Sequence, residues 1–379
     1  VSREQHPSVD DRHRWRQPLG LDRYLKDYRV IRSQLRQARA TPSPIVFLNR
    51  RWGHHGRHSG YLIDLGVGEN LGRDECILPV PLARMMVKCG GHAHVNHRVT
   101  TRLYLQAFGA RLMHLIDGDF DTWAYSPPIS SKVRTTATFH QPIDKLPEIT
   151  APLKAGLLDG IVCVSRNQIP LVQHLVPAGR CVFIPHGVDT QFFCPGSGGI
   201  GGDVSPTEPM VLTVGSHRRD FATLVATAKL VHAVRRDVKF ILIGPREKVG
   251  HVEAASGGII KVLSGVSDQE LCDAYRRAAV VLLPLEEATA NNSLLEGAAC
   301  GRPIVVSDLP AITDYVEGDQ VLRAPVADAK AHADATLRIL SDASLARRLG
   351  QGAYETVQSY AWPLVNDRAR AFFQSVIDG

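Results

Sequence analysis

The sequence has no uninterrupted apolar run approaching the ~20 residues a membrane-spanning helix needs, so none of its 379 residues is expected to cross a bilayer as a helix. The first stretch, VSREQHPSVDDRHRWRQ, is polar and charged where a secretory leader would be apolar, and a cytoplasmic enzyme is the expectation. Cysteine is sparse and scattered: the seven (Cys76, Cys89, Cys163, Cys181, Cys194, Cys272, Cys300) include no CxxC pair. Neither a disulfide framework nor a cysteine zinc site is indicated, and they read as small buried hydrophobes. Excess charge is also missing, since 44 Lys and Arg against 38 Asp and Glu leave a net charge of only +6. No Lys/Arg run carries interleaved aromatics, so no nucleic-acid partner is expected.

What is present is the balance of a globular chain, 44% hydrophobic and 22% charged, long enough for two domains that each bury a core. Residues 1–43 read as a charged helical appendage: DRYLKDYRVIRSQLRQARA has the apolar spacing of an amphipathic helix and ends at Thr-Pro-Ser-Pro. Its basic character adds peripheral contact with the inner face of a membrane to the options. Between 44 and 193, the runs IVFLN, RLMHLI, TTATFH and GIVCVS alternate with helical stretches, the pattern of buried parallel strands. Residues 194–209, CPGSGGIGGDVSPTEP, are too rich in Gly, Ser and Pro for periodic burial and read as a linker. A second alternating series, 210–355, contains MVLTVG, KFILIG, IIKVLSG, VVLLPL and RPIVVSD, and residues 356–379 are expected to form a closing helix that returns to the first half.

Ligands of open α/β sheets gather beyond the carboxyl ends of strands, where helix N-termini face a crevice. Two segments stand there. After MVLTVG, Gly215 opens a turn carrying Arg218 and Arg219, whose guanidinium groups could clamp a diphosphate through paired charge-assisted hydrogen bonds, or simply be a solvated basic turn. After VVLLPL, a polar loop leads to Asn291, Asn292, Ser293 and Leu294, whose backbone N–H groups could cradle an anion. Glu296 follows in the first turn. Its carboxylate could accept both hydroxyls of a ribose, or serve a Ser293–Glu296 capping box.

Four segments taken together resemble the family-4 glycosyltransferases: IPHGVDTQFFCP, VTVG with its basic turn, SDQELCDAYRRAAVVLLP and NNSLLEGAACGRPIVVSD. The resemblance implies the GT-B fold, two facing Rossmann-like domains with C-terminal helices closing the chain, and a retaining, metal-independent hexosyltransferase without a cofactor. It implies a nucleotide-sugar donor, UDP- or GDP-linked, and an acceptor hydroxyl on a saccharide, a lipid-linked sugar or a small metabolite. By position, Glu296 matches the family's ribose-binding glutamate and Arg219 its diphosphate-binding lysine. Two positions depart: Ser216 replaces an arginine, and Ala288 replaces the first glutamate of the pair, with Arg218, Glu286 and Glu287 near enough to compensate.

In the first half, Gly53-His-His-Gly56-Arg-His-Ser59-Gly60 is similar to the family's acceptor-side glycine-rich loop, with Gly56, Ser59 and Gly60 able to bring backbone close to phosphate. His140, in TFHQP, stands where the family places a histidine beside the reacting sugar, and His114 is a further candidate unless it is a satisfied strand residue. Asp117-Gly118-Asp119-Phe120-Asp121 imitates a metal-binding DxD motif, but the resemblance implies no metal there. Ala288 and Ser216 also motivate a catalytically degenerate nucleotide-sugar-binding or partner-binding protein, and a sugar-nucleotide epimerase is the other alternative.

Overall fold

A computed structural model describes residues 42–49, 69–72, 105–122, 132–200, 209–318 and 320–379, with scattered positions at 32–40, 58 and 101–102. Nearly all of the expected 1–43 appendage, positions 201–208 of the expected linker, and Gly56, Ser59 and Gly60 lie outside the described residues.

Two six-stranded sheets, parallel throughout, organise the chain. The first has the order β2-β1-β3-β4-β5-β6, from β1 (Ile45–Asn49), β2 (Glu69–Gly72), β3 (Leu112–Leu115), β4 (Arg134–Phe139), β5 (Gly160–Cys163) and β6 (Cys181–Phe183). The second half runs β7 (Met210–Val214), α1 (Phe221–Val234), β8 (Lys239–Ile243), β9 (Ile260–Leu263), α2 (Asp268–Arg277), β10 (Ala278–Leu283), α3 (Asn292–Ala299), β11 (Ile304–Ser307) and β12 (Leu322–Ala324). It closes with α4 (Ala329–Ser341), α5 (Ala343–Val357) and α6 (Trp362–Asp378). The second sheet is ordered β12-β11-β10-β7-β8-β9.

Continuous apolar sequence makes these strands because each is covered on both faces, as in β3, β5 and β11, where every residue is buried. Helix starts follow local chemistry. Asp220, Asp328 and Asp342 each accept a backbone N–H three residues on, and Ser267 and Glu270 form a reciprocal capping box at α2. Arg302, fully buried, donates to the carbonyls of Arg276 and Cys300, placing a cation at the negative ends of α2 and α3. The last helix leaves the second half: Val365, Ala369, Phe372, Phe373 and Val376 of α6 pack with Ile45, Phe47, Leu112 and Val162 of the first sheet. Gly160 permits that approach, since a Cβ there would lie 2.7 Å from the Phe372 ring.

Candidate functional site

Strand order locates a crevice in each half. In the second sheet β7, β8 and β9 run outward to one side and β10, β11 and β12 to the other, so the winding reverses between β7 and β10. Open α/β sheets bind ligands at that reversal, beyond the strand ends. Gly215 follows β7 with φ +91°, a left-handed turn that L side chains resist, and a Cβ there would meet Arg219 Nη2 at 3.0 Å. The turn folds Arg219 back. Its Nε donates to the Val214 carbonyl (2.9 Å), Nη1 to the His217 carbonyl (3.1 Å) and Nη2 to Ser293 Oγ (2.9 Å). Ser293 Oγ in turn donates to the Val214 carbonyl at 3.0 Å. The β7 turn and the first turn of α3 are therefore stitched together across the reversal, with a guanidinium and a helix N-terminus side by side. Burial lowers the Arg219 pKa to about 10, opposed by Tyr275 and Glu296, and the group stays cationic at neutral pH.

At α3 itself the Ser293–Glu296 capping box does not form. Asn291 is the N-cap, its side chain accepting the Leu294 N–H at 3.0 Å, and Ser293 lies two residues past it, inside the helix. Asn292 begins the helix and Leu294 is fully buried. Glu296 is 3% exposed, and its carboxylate accepts the Tyr275 hydroxyl at 2.9 Å. Burial first, and the Glu296 charge next, hold the Tyr275 pKa well above its ordinary value, so Tyr275 remains the donor. Tyr275 was not singled out in the sequence. Its position on the buried face of α2, 21 residues before Glu296, gives no local hint of the pairing. Ala288 packs into the core, and the Glu287 carboxylate accepts the Ala288 N–H at 2.9 Å, which turns it toward its own loop.

Arg218 does not join Arg219. Its backbone is left-handed (φ 53°) and its Nη2 reaches across to Asp144 Oδ2 at 2.6 Å, on the segment following β4. The neighbouring His217 has its pKa lowered by burial and by Arg218, Arg219 and Lys248, with Asp144 opposing. Lys248 is a second residue that sequence reasoning missed. It stands in the short helix Arg246–Val249 just past the end of β8, and no motif marks it.

On the first half, His140 directly follows β4. Its Nε2 lies 2.9 Å from the Ile116 carbonyl, and its own carbonyl accepts Thr289 Oγ1 (2.6 Å) from the loop after β10. His140 thus sits at a junction of the two halves. Both carboxylate oxygens of Asp119 accept backbone N–H groups, of His140 (2.6 Å) and Gln141 (3.2 Å), so this DxD-like carboxylate organises the β4 exit. Burial raises its pKa to about 6 against those hydrogen bonds and His140. Among the described residues no group of three or more His, Cys, Asp or Glu is placed to hold a metal ion.

His114 is corrected by its position. It lies within β3, 1% exposed, between Thr136 Oγ1 (2.8 Å) and Thr138 Oγ1 (2.9 Å), with its ring against Phe373 of α6. Burial, and then the His140 charge, lower its pKa to about 3. It is a neutral core residue under the last helix. Of the glycine-rich loop only His58 is described. Its ring stacks on Phe192 (3.9 Å between centroids) and its Nδ1 lies 2.7 Å from Asp189 Oδ2.

Residues 208–342, which carry both stitched segments, match the family model described as glycosyl transferases group 1. The second half thus resembles the glycosyl transferases group 1, and the two parallel-sheet halves have the GT-B fold. Among curated relatives of this GT-B chain, a D-inositol 3-phosphate glycosyltransferase of Saccharomonospora viridis is 29% identical over 48% of the chain and 47% of its own length. A phosphatidyl-myo-inositol mannosyltransferase of Propionibacterium freudenreichii is 25% identical over 75% and 76%. The match thus spans about half of the first of these relatives. Among solved structures, sucrose-phosphate synthase from Thermosynechococcus elongatus aligns with TM-score 0.70 at 19% identity, over 89% of this chain and 99% of that one. Anabaena Alr3699/HepE, solved in complex with UDP-glucose, aligns with TM-score 0.67 at 13% identity, over 87% and 99%. At such identities these likenesses speak for the fold. Among the described residues no helix is long and apolar enough to cross a membrane.

Proposed function

We propose that the protein transfers a hexose from a nucleoside-diphosphate sugar, UDP- or GDP-linked, to an acceptor hydroxyl with retention of configuration. The observation that carries this reading is the Arg219–Ser293 bond, which fixes a guanidinium beside the N-terminus of α3 at the reversal of the second sheet. A diphosphate leaving group needs its developing charge met by preorganised donors, each contributing on the order of 3 kcal/mol when well placed. Arg219, Arg218 and the N–H groups opening α3 are the donors assigned here, Asn291 holding the last in register, with no metal ion and no resident cofactor. Gly215 lets the turn approach. Glu296, oriented by the Tyr275 hydroxyl, is assigned to the ribose hydroxyls. His140 and Glu287 are assigned to the sugar end, and Gly56, Ser59 and Gly60, outside the described residues, to the acceptor side on the resemblance of their loop. Because the two curated relatives are named for inositol phosphate and phosphatidyl-inositol acceptors, a cyclic polyol is the acceptor class to try first. The protein is assigned to the cytoplasm, where nucleotide sugars are substrates.

Calorimetric titration with UDP, GDP and dTDP, followed by turnover of the corresponding sugars with NMR of the product anomer, tests this reading. Arg219→Ala is expected to weaken nucleotide binding at least tenfold with the fold retained. No binding and no turnover by the wild-type protein with any of these donors would sink the proposal. A second reading, nucleotide-sugar binding without transfer, draws on the core-buried Ala288 and on Glu287 turned toward its own loop. Tight binding with no turnover would favour it.

A further inference from the structure

Arg218 combines three features that a solvated basic turn would not need. First, it is one of only two non-glycine residues with positive φ among those described, a conformation that L residues rarely adopt. The strain is held by pairing on both sides: its carbonyl accepts the Glu286 N–H at 3.1 Å, and the Asp220 N–H donates to Pro284 at 3.0 Å. Second, this fixed backbone sends the side chain out of its own half, to Asp144 at 2.6 Å, on the same post-β4 segment that Thr289 reaches through its hydrogen bond to the His140 carbonyl. Third, Arg218, Arg219 and Lys248 all act on His217, and Asp144 is the one carboxylate among the charges bearing on that ring. One acidic side chain from the first half therefore sits against a cationic cluster belonging to the second.

The magnitude of the contact decides what it can do. Arg218 is 22% exposed and Asp144 45% exposed, so water screens the pair, and an ion pair of that exposure is worth at most about a factor of five in an equilibrium. That is too weak to lock two domains together. It is strong enough to compete measurably with another anion for the same guanidinium, and a diphosphate brings more charge and bidentate geometry.

We propose that Asp144 is a positioning residue that competes with the donor diphosphate for Arg218, so that donor engagement exchanges an interdomain ion pair for a phosphate contact. The inference rests on the nucleotide-sugar reading above and assigns Asp144 a role that reading does not contain. Removing the Asp144 charge then frees Arg218 for the nucleotide, and the gain exists only while Arg218 is there to be freed.

The test is a double-mutant cycle read by titrating UDP and GDP into the wild-type protein, Asp144→Asn, Arg218→Ala and the double variant, with thermal unfolding to check each fold and Asp144→Ser as the second probe of the charge. Asp144→Asn is expected to tighten nucleotide binding about three- to fivefold. Arg218→Ala should weaken it, and the double variant should bind as weakly as Arg218→Ala alone. A purely structural ion pair predicts lowered stability in both single variants and no tightening, and that result overturns the proposal. So does a gain from Asp144→Asn that survives in the Arg218→Ala background. If the wild type binds neither nucleotide, the donor reading fails and this inference with it; wild-type binding that Asp144→Asn leaves unchanged removes the inference alone.

Discussion

His114 shows how far burial can move a side chain from the chemistry its type suggests. Wedged between two threonine hydroxyls and the rings of Phe47 and Phe373, it has a pKa of about 3 in the folded chain against about 6.5 when exposed. The unfolded state therefore takes up the proton first. The neutral histidine's contribution is complete above about pH 6.5 and is lost as pH falls toward 3, roughly 2–3 kcal/mol of it by pH 4.5. Asp119, with its pKa raised to about 6, works in the opposite sense: it binds a proton more readily folded than unfolded, which favours the fold as pH drops from 6 to 4. The two partly cancel in the wild type. The measurement is thus comparative: as pH falls from 6.5 to 4.5, the melting temperature of His114→Gln should rise relative to that of the wild type. Parallel profiles would show that His114 is not held neutral. The sequence offered His114 and His140 as similar histidines on strands. Their difference arises from α6, whose Phe373 covers one, and from the Thr289 loop, which meets the backbone of the other.

At the scale of the element, α3 is legible in the sequence from its position after an apolar strand, but the residue that caps it is not. A Ser-x-x-Glu spacing is compatible with a box wherever it occurs, and only the backbone decides which residue stands at the non-helical N-cap position. Here Asn291 is extended and Ser293 is already helical, which turns the serine hydroxyl to Val214 and Arg219. Replacing Asn291 by alanine should cost about 1 kcal/mol of stability in a urea titration, while serine or aspartate should restore most of it. An alanine variant as stable as the wild type would mean that the cap bond contributes nothing. The expected strands of both halves were legible because their apolar runs are continuous. β2 (ENLG), β6 (CVF) and β12 (LRA) were not. Each is three or four residues at the edge of its sheet, too short to show a period, and exists because a neighbour pairs with it.

At the scale of the molecule, the two sheets are joined by the last helix as well as by the segments that meet near Thr289 and Arg218. Phe373, 1% exposed in the cluster formed by α6 and the first sheet, is a strong single test of that coupling. Phe373→Ala should lower stability by roughly 3–5 kcal/mol, read as a drop in the urea midpoint, because the cavity would open beneath a helix that contributes much of that cluster. A loss under 1 kcal/mol would mean that α6 is only loosely applied to the sheet.

The sequence by itself determined the alternation of buried strands and helices, the resemblance to family-4 glycosyltransferases, and which segments follow the strand ends, because periodicity, turn residues and strand composition are local properties of the chain. Tertiary structure alone decided that the winding reverses between β7 and β10, that Ser293 ties Arg219 to α3, and that Tyr275 holds Glu296 and Asp144 holds Arg218. Those partners lie 21 to 74 residues apart, and neither hydrogen-bond direction nor burial across such distances leaves a periodic trace in the sequence.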